Sequence, residues 1–236
     1  MEWPNWWISI SDTLSFTPLS SFIQTKIRTG IPLLDHKTGG LLCGTIYEIS
    51  GEAGTGKTNL CLQISKSISL HSQVVYLSTL KPLSSSRLSS ICLNSSNFIY
   101  KDYRDLKDII SFITEELPRY SIQGLSLFIL DNIYTLAQSE DLDPKEKASL
   151  TQRLAIILKY LSVQYKFAVI IVNNVISTNS TTIPGLGLNW SYCINHRWFL
   201  SKNENRRKLR VLFSSTSQWE CEVLVNNESV ELIESN

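Results

Sequence analysis

The sequence has no excess of either charge: 22 Lys and Arg stand against 21 Asp and Glu over 236 residues, a formal net charge of +1. That excludes a surface-wide polycation for nucleic acid, so any positive field must be a local patch. Long apolar runs are missing as well. Stretches such as 126–130 and 167–172 fall far short of the ~18 residues a membrane-spanning helix needs, and no span is expected. The first residues, Met1-Glu2-Trp3-Pro4-Asn5-Trp6-Trp7, put an acid and a proline where a secretory leader needs basic residues and then an apolar stretch. Secretion is not expected. Paired cysteines are the third absence. Cys43, Cys61, Cys92, Cys193 and Cys221 are odd in number and scattered without a CxxC spacing, which argues against zinc or dithiol chemistry and for buried thiols in a reducing compartment. What is present is apolar content, 43% with 10% aromatic, sufficient for a sizeable core in one domain. There is no internal repeat.

Residues 1–28 show no sustained period and read as an N-terminal arm or linker; residues 29–236 carry the ordered pattern. Thr45–Ser50, Gln73–Ser78, Leu125–Leu130 and Phe167–Val172 are nearly all apolar and predict buried strands. Helical spacing predicts helices over Lys57–Leu70, over Asp102–Leu117 with Pro118 as its stop, and from Pro144 to about Tyr165. The seven serines of Ser84–Ser96 fit a loop or a weak polar helix. Beyond Pro184, Asn195–Ser201, Lys208–Ser214 and Glu220–Val225 look like strands joined by polar turns. The expectation is an α/β fold: a mostly parallel sheet flanked by helices, with antiparallel strands at its C-terminal edge.

One motif carries chemistry. Gly51-Glu52-Ala53-Gly54-Thr55-Gly56-Lys57-Thr58 matches G-x-x-x-x-G-K-[ST] at every fixed position, between a predicted strand and a predicted helix. Glycines let such a loop wrap a phosphate with its N–H groups pointing inward, and the helix N-terminus adds partial positive charge. In this arrangement Lys57 would reach the β- and γ-phosphates of a bound nucleotide and the Thr58 hydroxyl would ligate Mg²⁺. A carboxylate for the metal is also needed. Asp131 closes LSLFIL and is the candidate, with a helix cap or turn as its plain alternative. The strand–helix unit 73–117 between Lys57 and Asp131 points to a P-loop branch with an extra strand between the two.

Thr29-Gly30-Ile31, Leu34-Asp35, Gly39-Gly40 and Gly44, followed by the P-loop, resemble the entry to the ATPase core of RecA-type recombinases, above all their eukaryotic paralogues. The resemblance runs through Val74–Leu88, the Asp131 strand, Val169–Val175, and Pro184-Gly185-Leu186-Gly187-Leu188-Asn189-Trp190 followed by Arg197. It covers about residues 27–232, and its later part is more like the recombination mediators than the filament-forming recombinase.

That resemblance implies a P-loop NTPase fold of the RecA-like type, binding of ATP and Mg²⁺ at Gly51–Thr58 and Asp131, and work in homologous-recombination DNA repair in the nucleus. It also implies which residues depart from the family. Leu80 falls where active recombinases carry the glutamate that orients the attacking water, and Asn132 follows Asp131 where a Glu is the other common base. ATP binding with weak or absent, DNA-dependent hydrolysis is the expectation. Asn174 falls on the γ-phosphate-sensing glutamine, with one methylene less. The following loop, 175–183, has no basic residue, and the loop from about Thr135 to Lys147 carries Glu140, Asp141, Asp143 and Glu146 against Lys145 and Lys147. Acidic loops repel a phosphate backbone, so contact with single-stranded DNA is expected through a complex.

Lys202–Arg210, with Lys202, Arg206, Arg207, Lys208 and Arg210, is either a DNA-phosphate contact or a solvated hairpin turn. Arg87 and Arg197 match family arginines, as nucleotide contacts or as structural ion pairs. Trp3, Trp6 and Trp7 either pack on the chain's own core or dock on a neighbour. The phenylalanine–alanine tetrad of recombinase filaments is absent at Phe16 and Phe22, and the chain resembles a short form without the N-terminal helical domain. Hetero-oligomers with other recombinase paralogues and the recombinase follow from this more naturally than homopolymers, with no membrane partner. An autonomous P-loop ATPase, a small-molecule kinase, and a structural subunit that binds no nucleotide remain open.

Overall fold

The computed structural model describes residues 25–80, 82–92, 96–139, 143–177, 182–204, 206–214, 218–226 and 229–234. The expected arm up to residue 24, including the three tryptophans, lies outside them, as do Glu140 and Asp141.

The entry segment comprises β1 (Lys26–Ile27), α1 (Pro32–Thr38) and β2 (Leu41–Leu42), with β1 and β2 paired antiparallel. The Thr29-Gly30…Asp35 pattern has a structural explanation here. The Asp35 carboxylate accepts hydrogen bonds from Thr29 N (2.8 Å), Thr29 Oγ1 (2.9 Å) and Gly30 N (3.0 Å), so the turn ahead of α1 is tied down by one buried side chain. Pro32 starts the helix, and Gly39 ends it in the left-handed region.

The chain continues through β3 (Ile46–Gly51), α2 (Lys57–Ser69), β4 (Gln73–Ser78), α3 (Ser85–Cys92) and β5 (Phe98–Asp102). Then come α4 (Leu106–Glu115), α5 (Leu117–Ile122), β6 (Leu125–Asp131), α6 (Ile133–Ser139), α7 (Pro144–Tyr165) and β7 (Ala168–Asn173). It closes with β8 (Val175–Ser177), β9 (Thr182–Pro184), α8 (Gly187–Ser191), β10 (His196–Asn203), β11 (Arg206–Phe213), β12 (Glu220–Val225) and β13 (Val230–Glu234). Nine strands form one sheet in the order β13-β12-β11-β10-β3-β7-β6-β4-β5. From β10 to β5 every pairing is parallel; from β10 to β13 every pairing is antiparallel. The expected α/β architecture, with an antiparallel C-terminal edge, is therefore present.

The central strands are buried on both faces because each face has its own apolar layer. One gathers α1 and α2 with β10–β13 side chains such as Leu60, Ile64, Trp198 and Leu209. The other gathers α4, α5, α6 and α7 with Ile109, Ile113, Phe128, Leu154 and Trp190. Val, Ile and Leu side chains alternating from β3, β6 and β7 fill both. At the sheet's centre Gly51 pairs with Leu200, and a Cβ there would stand 2.2 Å from the Leu200 carbonyl oxygen. That glycine is needed for close approach.

Several expectations are corrected. The single helix over Asp102–Leu117 is two: Asp102 ends β5, the Asp105 side chain caps α4, and Pro118 opens α5 instead of closing α4. Proline lacks only an N–H that a first helical turn leaves unused, so it starts a helix as readily as it stops one. The acidic loop 135–147 is mostly helical, because α6 covers its first part and α7 begins at Pro144. Asp143 accepts from Lys145 N as the cap of α7, and Glu146 sits in its first turn, where negative charge complements the helix dipole. The loop 175–183 holds the paired strands β8 and β9. Strands β5 and β13 had no counterpart in the sequence reading.

Candidate nucleotide site

The loop between β3 and α2 must turn a buried strand into a helix within six residues. Gly56 precedes α2 at φ +107, a region that side chains rarely adopt, and Gly54 has φ +76 with open space around the position a Cβ would take. Thr55 is buried and ties the loop by donating from Oγ1 to Glu52 O at 2.9 Å. Glu52 itself is exposed, as are Ala53 and Gly54. Lys57 is buried, and its Nζ donates to Gly51 O at 2.7 Å and Glu52 O at 2.8 Å. An ammonium has three N–H donors, so one is left. Burial lowers the Lys57 pKa from its ordinary value, and the Asp131 carboxylate opposes that shift.

Asp131 ends β6, only 7% exposed, and β7 lies between its strand and β3. Its Oδ2 accepts from Thr58 Oγ1 at 2.7 Å and from the Tyr76 hydroxyl at 2.7 Å. Burial first, and Asp131 second, push the Tyr76 phenol well above its ordinary pKa, so Tyr76 stays a donor. Among the described residues Asp131 has no ion pair, and no group of three or more His, Cys, Asp and Glu stands ready to cage a metal. One carboxylate and one hydroxyl, both hard oxygen donors, match Mg²⁺, which completes its shell with phosphate and water instead of an all-protein cage.

Leu80 follows β4, 49% exposed, and lines a cavity of about 580 Å³ together with Thr58, Ser78, Arg87 and Asp131. A hydrocarbon therefore stands beside the hydroxyl–carboxylate pair. Asn132 is no substitute for a base: its Nδ2 donates to Asn174 Oδ1 at 2.8 Å and its Oδ1 accepts from Tyr134 N at 2.9 Å. Asn174 is thus placed against the residue after Asp131, and its carbonyl accepts from Gly185 N at 2.8 Å. It links the carboxylate strand to the segment after β9.

The two family arginines separate. Arg87 lines the cavity with Thr58 and Asp131 and a second one beside the P-loop. Arg197 pairs with the fully buried Glu48, a residue the sequence reading passed over. Glu48 Oε1 also accepts from Asn173 Nδ2 at 2.6 Å and Trp190 Nε1 at 2.7 Å, while Arg197 Nη2 donates to Ser191 Oγ at 3.1 Å. A lone acid in the apolar strand TIYEIS was the available signal, since a buried charge must be paired. The Trp190 and Arg197 positions of the resemblance are accordingly structural.

The basic stretch is also divided. Arg206 pairs with Glu222 at 3.6 Å, and Lys208 and Arg210 pair with Glu220 at 3.3 and 3.7 Å, all at the exposed surface of β11 and β12. The hairpin reading fits these three. Cys61 and Cys221 are buried and Cys43 and Cys193 half-buried, all free thiols; burial pushes Cys221 up to about 12 and Cys43 to about 11, which keeps them protonated and unreactive. No described helix is long and apolar enough to cross a membrane.

Comparison with known proteins places this geometry in context. Residues 27–89, which contain the P-loop, match the family described as ATPase: KaiC. The chain is 28% identical to the DNA repair protein XRCC3 homolog of Arabidopsis thaliana, over 76% of either chain. It is 32% identical to the DNA repair and recombination protein RadB of Archaeoglobus fulgidus, over 62% of this chain and 69% of that one. To the human DNA repair protein RAD51 homolog 2 the identity is 25%, over 80% of this chain and 63% of the relative.

Proposed function

The chain belongs to the RecA-type recombinase family, among its paralogues, and from that premise we propose that it is an ATP-binding subunit that helps a recombinase assemble on single-stranded DNA during recombinational repair. The observation that carries the reading is the pairing of Thr58 with Asp131 beneath an intact P-loop, in a site where the apolar Leu80 lines the same cavity. Lys57, Thr55 and the loop N–H groups would hold the phosphates of ATP, and Thr58 and Asp131 would hold Mg²⁺, which when bound neutralises phosphate charge. Orientation of an attacking water has no residue assigned to it, because Leu80 is apolar and the Asn132 amide is engaged on both sides. The site is therefore suited to retaining nucleotide and turning it over slowly.

Retained nucleotide would act through shape. Asn132 and Asn174 join the end of β6 to Gly185, just after β9, so the state of the Asp131 side can be felt by the paired strands β8 and β9 and by Trp190 beyond them. The relatives' names, all of DNA repair or recombination proteins, support other recombinase paralogues and the recombinase as the partners, and those of the plant and human relatives support the nucleus as the place of work. With Arg206, Lys208 and Arg210 ion-paired and Asp143 and Glu146 at the start of α7, DNA contact would come through the complex. Affinity purification of the native complex followed by mass spectrometry tests the role: recombination proteins are expected among the recovered chains, and their absence would overturn it.

A further inference from the structure

Alternation along β11 separates Arg207 from its basic neighbours. Arg206, Lys208 and Arg210 share the face where Glu220 and Glu222 answer them, whereas Arg207 shares the face of Leu209 and Val211, which pack in the same apolar layer as Leu60 and Ile64 of α2. Arg207 is thus carried toward the helix that begins at the P-loop. There it lines a cavity of about 300 Å³ with Gly54, Lys57, Thr58, Asn59 and Arg87. Three cations meet in this cavity, and no Asp or Glu is among its lining residues. The Arg207 Nε is buried and has no hydrogen-bond partner, and Arg207 has no ion pair among the described residues.

A buried guanidinium N–H left without an acceptor is costly, and an anion entering this cavity would supply the acceptor that the Arg207 Nε lacks. We infer that Arg207 is a further binding residue for the nucleotide: a guanidinium supplied by the chain's own C-terminal sheet to the phosphate groups of the nucleotide held at the P-loop. This rests on the nucleotide-binding reading above and deepens it. An arginine fork matches phosphate oxygens bidentately and stays charged throughout the accessible pH range. The same contact would tie β11 and β12, through Val225 at the cavity wall, to the nucleotide, so binding would stiffen the sheet's antiparallel edge.

The test is equilibrium binding of a fluorescent ATP analogue with Mg²⁺ to the full chain, read alongside thermal unfolding with and without nucleotide. Arg207→Gln is expected to weaken binding about tenfold or more, to shrink the nucleotide-induced rise in Tm, and to leave the Tm without nucleotide unchanged or higher. Arg207→Lys should recover part of the affinity, and Arg206→Gln, on the opposite face, should bind as the wild type does. Wild-type affinity in Arg207→Gln would overturn the inference, and so would a lower nucleotide-free Tm in both Arg207 variants with unchanged affinity, the mark of a structural residue. Absence of binding in the wild type itself would instead overturn the nucleotide-binding reading on which the inference stands.

Discussion

Two buried carboxylates lie at this sheet, and their surroundings differ in kind. Glu48, wholly buried in β3, is closed: a guanidinium, an indole N–H and an amide N–H all point at it. Asp131, at the end of β6, is open: its described hydrogen bonds come from two hydroxyls, and its neighbour Thr58 faces a cavity of about 580 Å³. A closed carboxylate has its charge answered within the fold and can only hold parts together. An open one retains negative charge toward a cavity and can take a cation. The lesson is that burial and an acidic side chain do not identify a functional site; the identity of the partners does.

The contrast predicts opposite mutational signatures. Glu48→Ala leaves Arg197, Trp190 Nε1 and Asn173 Nδ2 without their acceptor, and should cost about 3–5 kcal/mol of unfolding free energy in a denaturant titration, with nucleotide affinity of the folded fraction unchanged. Loss of affinity with stability intact would reverse the two roles.

His196, next to Arg197, sharpens the closed side. Burial, with Lys159 and Lys26 adding to it, lowers its pKa to about 4 from 6.5. The unfolded chain then binds the proton more readily, so stability is full above pH 6.5 and is lost as the pH falls toward 4, by on the order of 2–3 kcal/mol. Unfolding measured at pH 7 and pH 4 should show that loss, and His196→Phe should flatten it; an equal slope in the variant would remove His196 from the account.

The open side should respond in ligand binding alone. Asp131→Asn keeps an oxygen for Thr58 and Tyr76 and should change stability by no more than about 1 kcal/mol. The Mg²⁺-dependent part of ATP affinity should fall about 10- to 100-fold in isothermal titration. Equal Mg²⁺ dependence in variant and wild type would show that Asp131 is an ordinary turn residue.

Much of this was legible in the sequence where the signal is local. An apolar run ended by Asp131 and a glycine loop ahead of an amphipathic helix each declare themselves within a few residues, and the Asp131 strand, the strand before the glycine loop and the helix after it stand where the pattern put them. What was hidden depends on partners distant in the chain. Glu48 meets Arg197 across 149 positions and Trp190 across 142, and no period in the sequence announces such a meeting. Tyr76 was legible as a strand residue but not as a donor to Asp131, because only the pairing of β4 with β6 brings the two together. Pro118 misled because proline opens and closes helices alike. Arg207 was submerged in a run of like charges until the strand's alternation divided them.

The central claim is that this site holds ATP firmly and lacks the group that would spend it. Single-turnover hydrolysis with the purified wild type, saturated with ATP and Mg²⁺, tests that most directly, with Lys57→Ala as the binding control and Leu80→Glu as the restored acceptor. The account predicts saturable binding lost in Lys57→Ala, turnover near the uncatalysed level in the wild type, and an increase of about tenfold in Leu80→Glu, a small part of what a well-positioned base contributes. Vigorous hydrolysis by the wild type, with no change in Leu80→Glu, would contradict it.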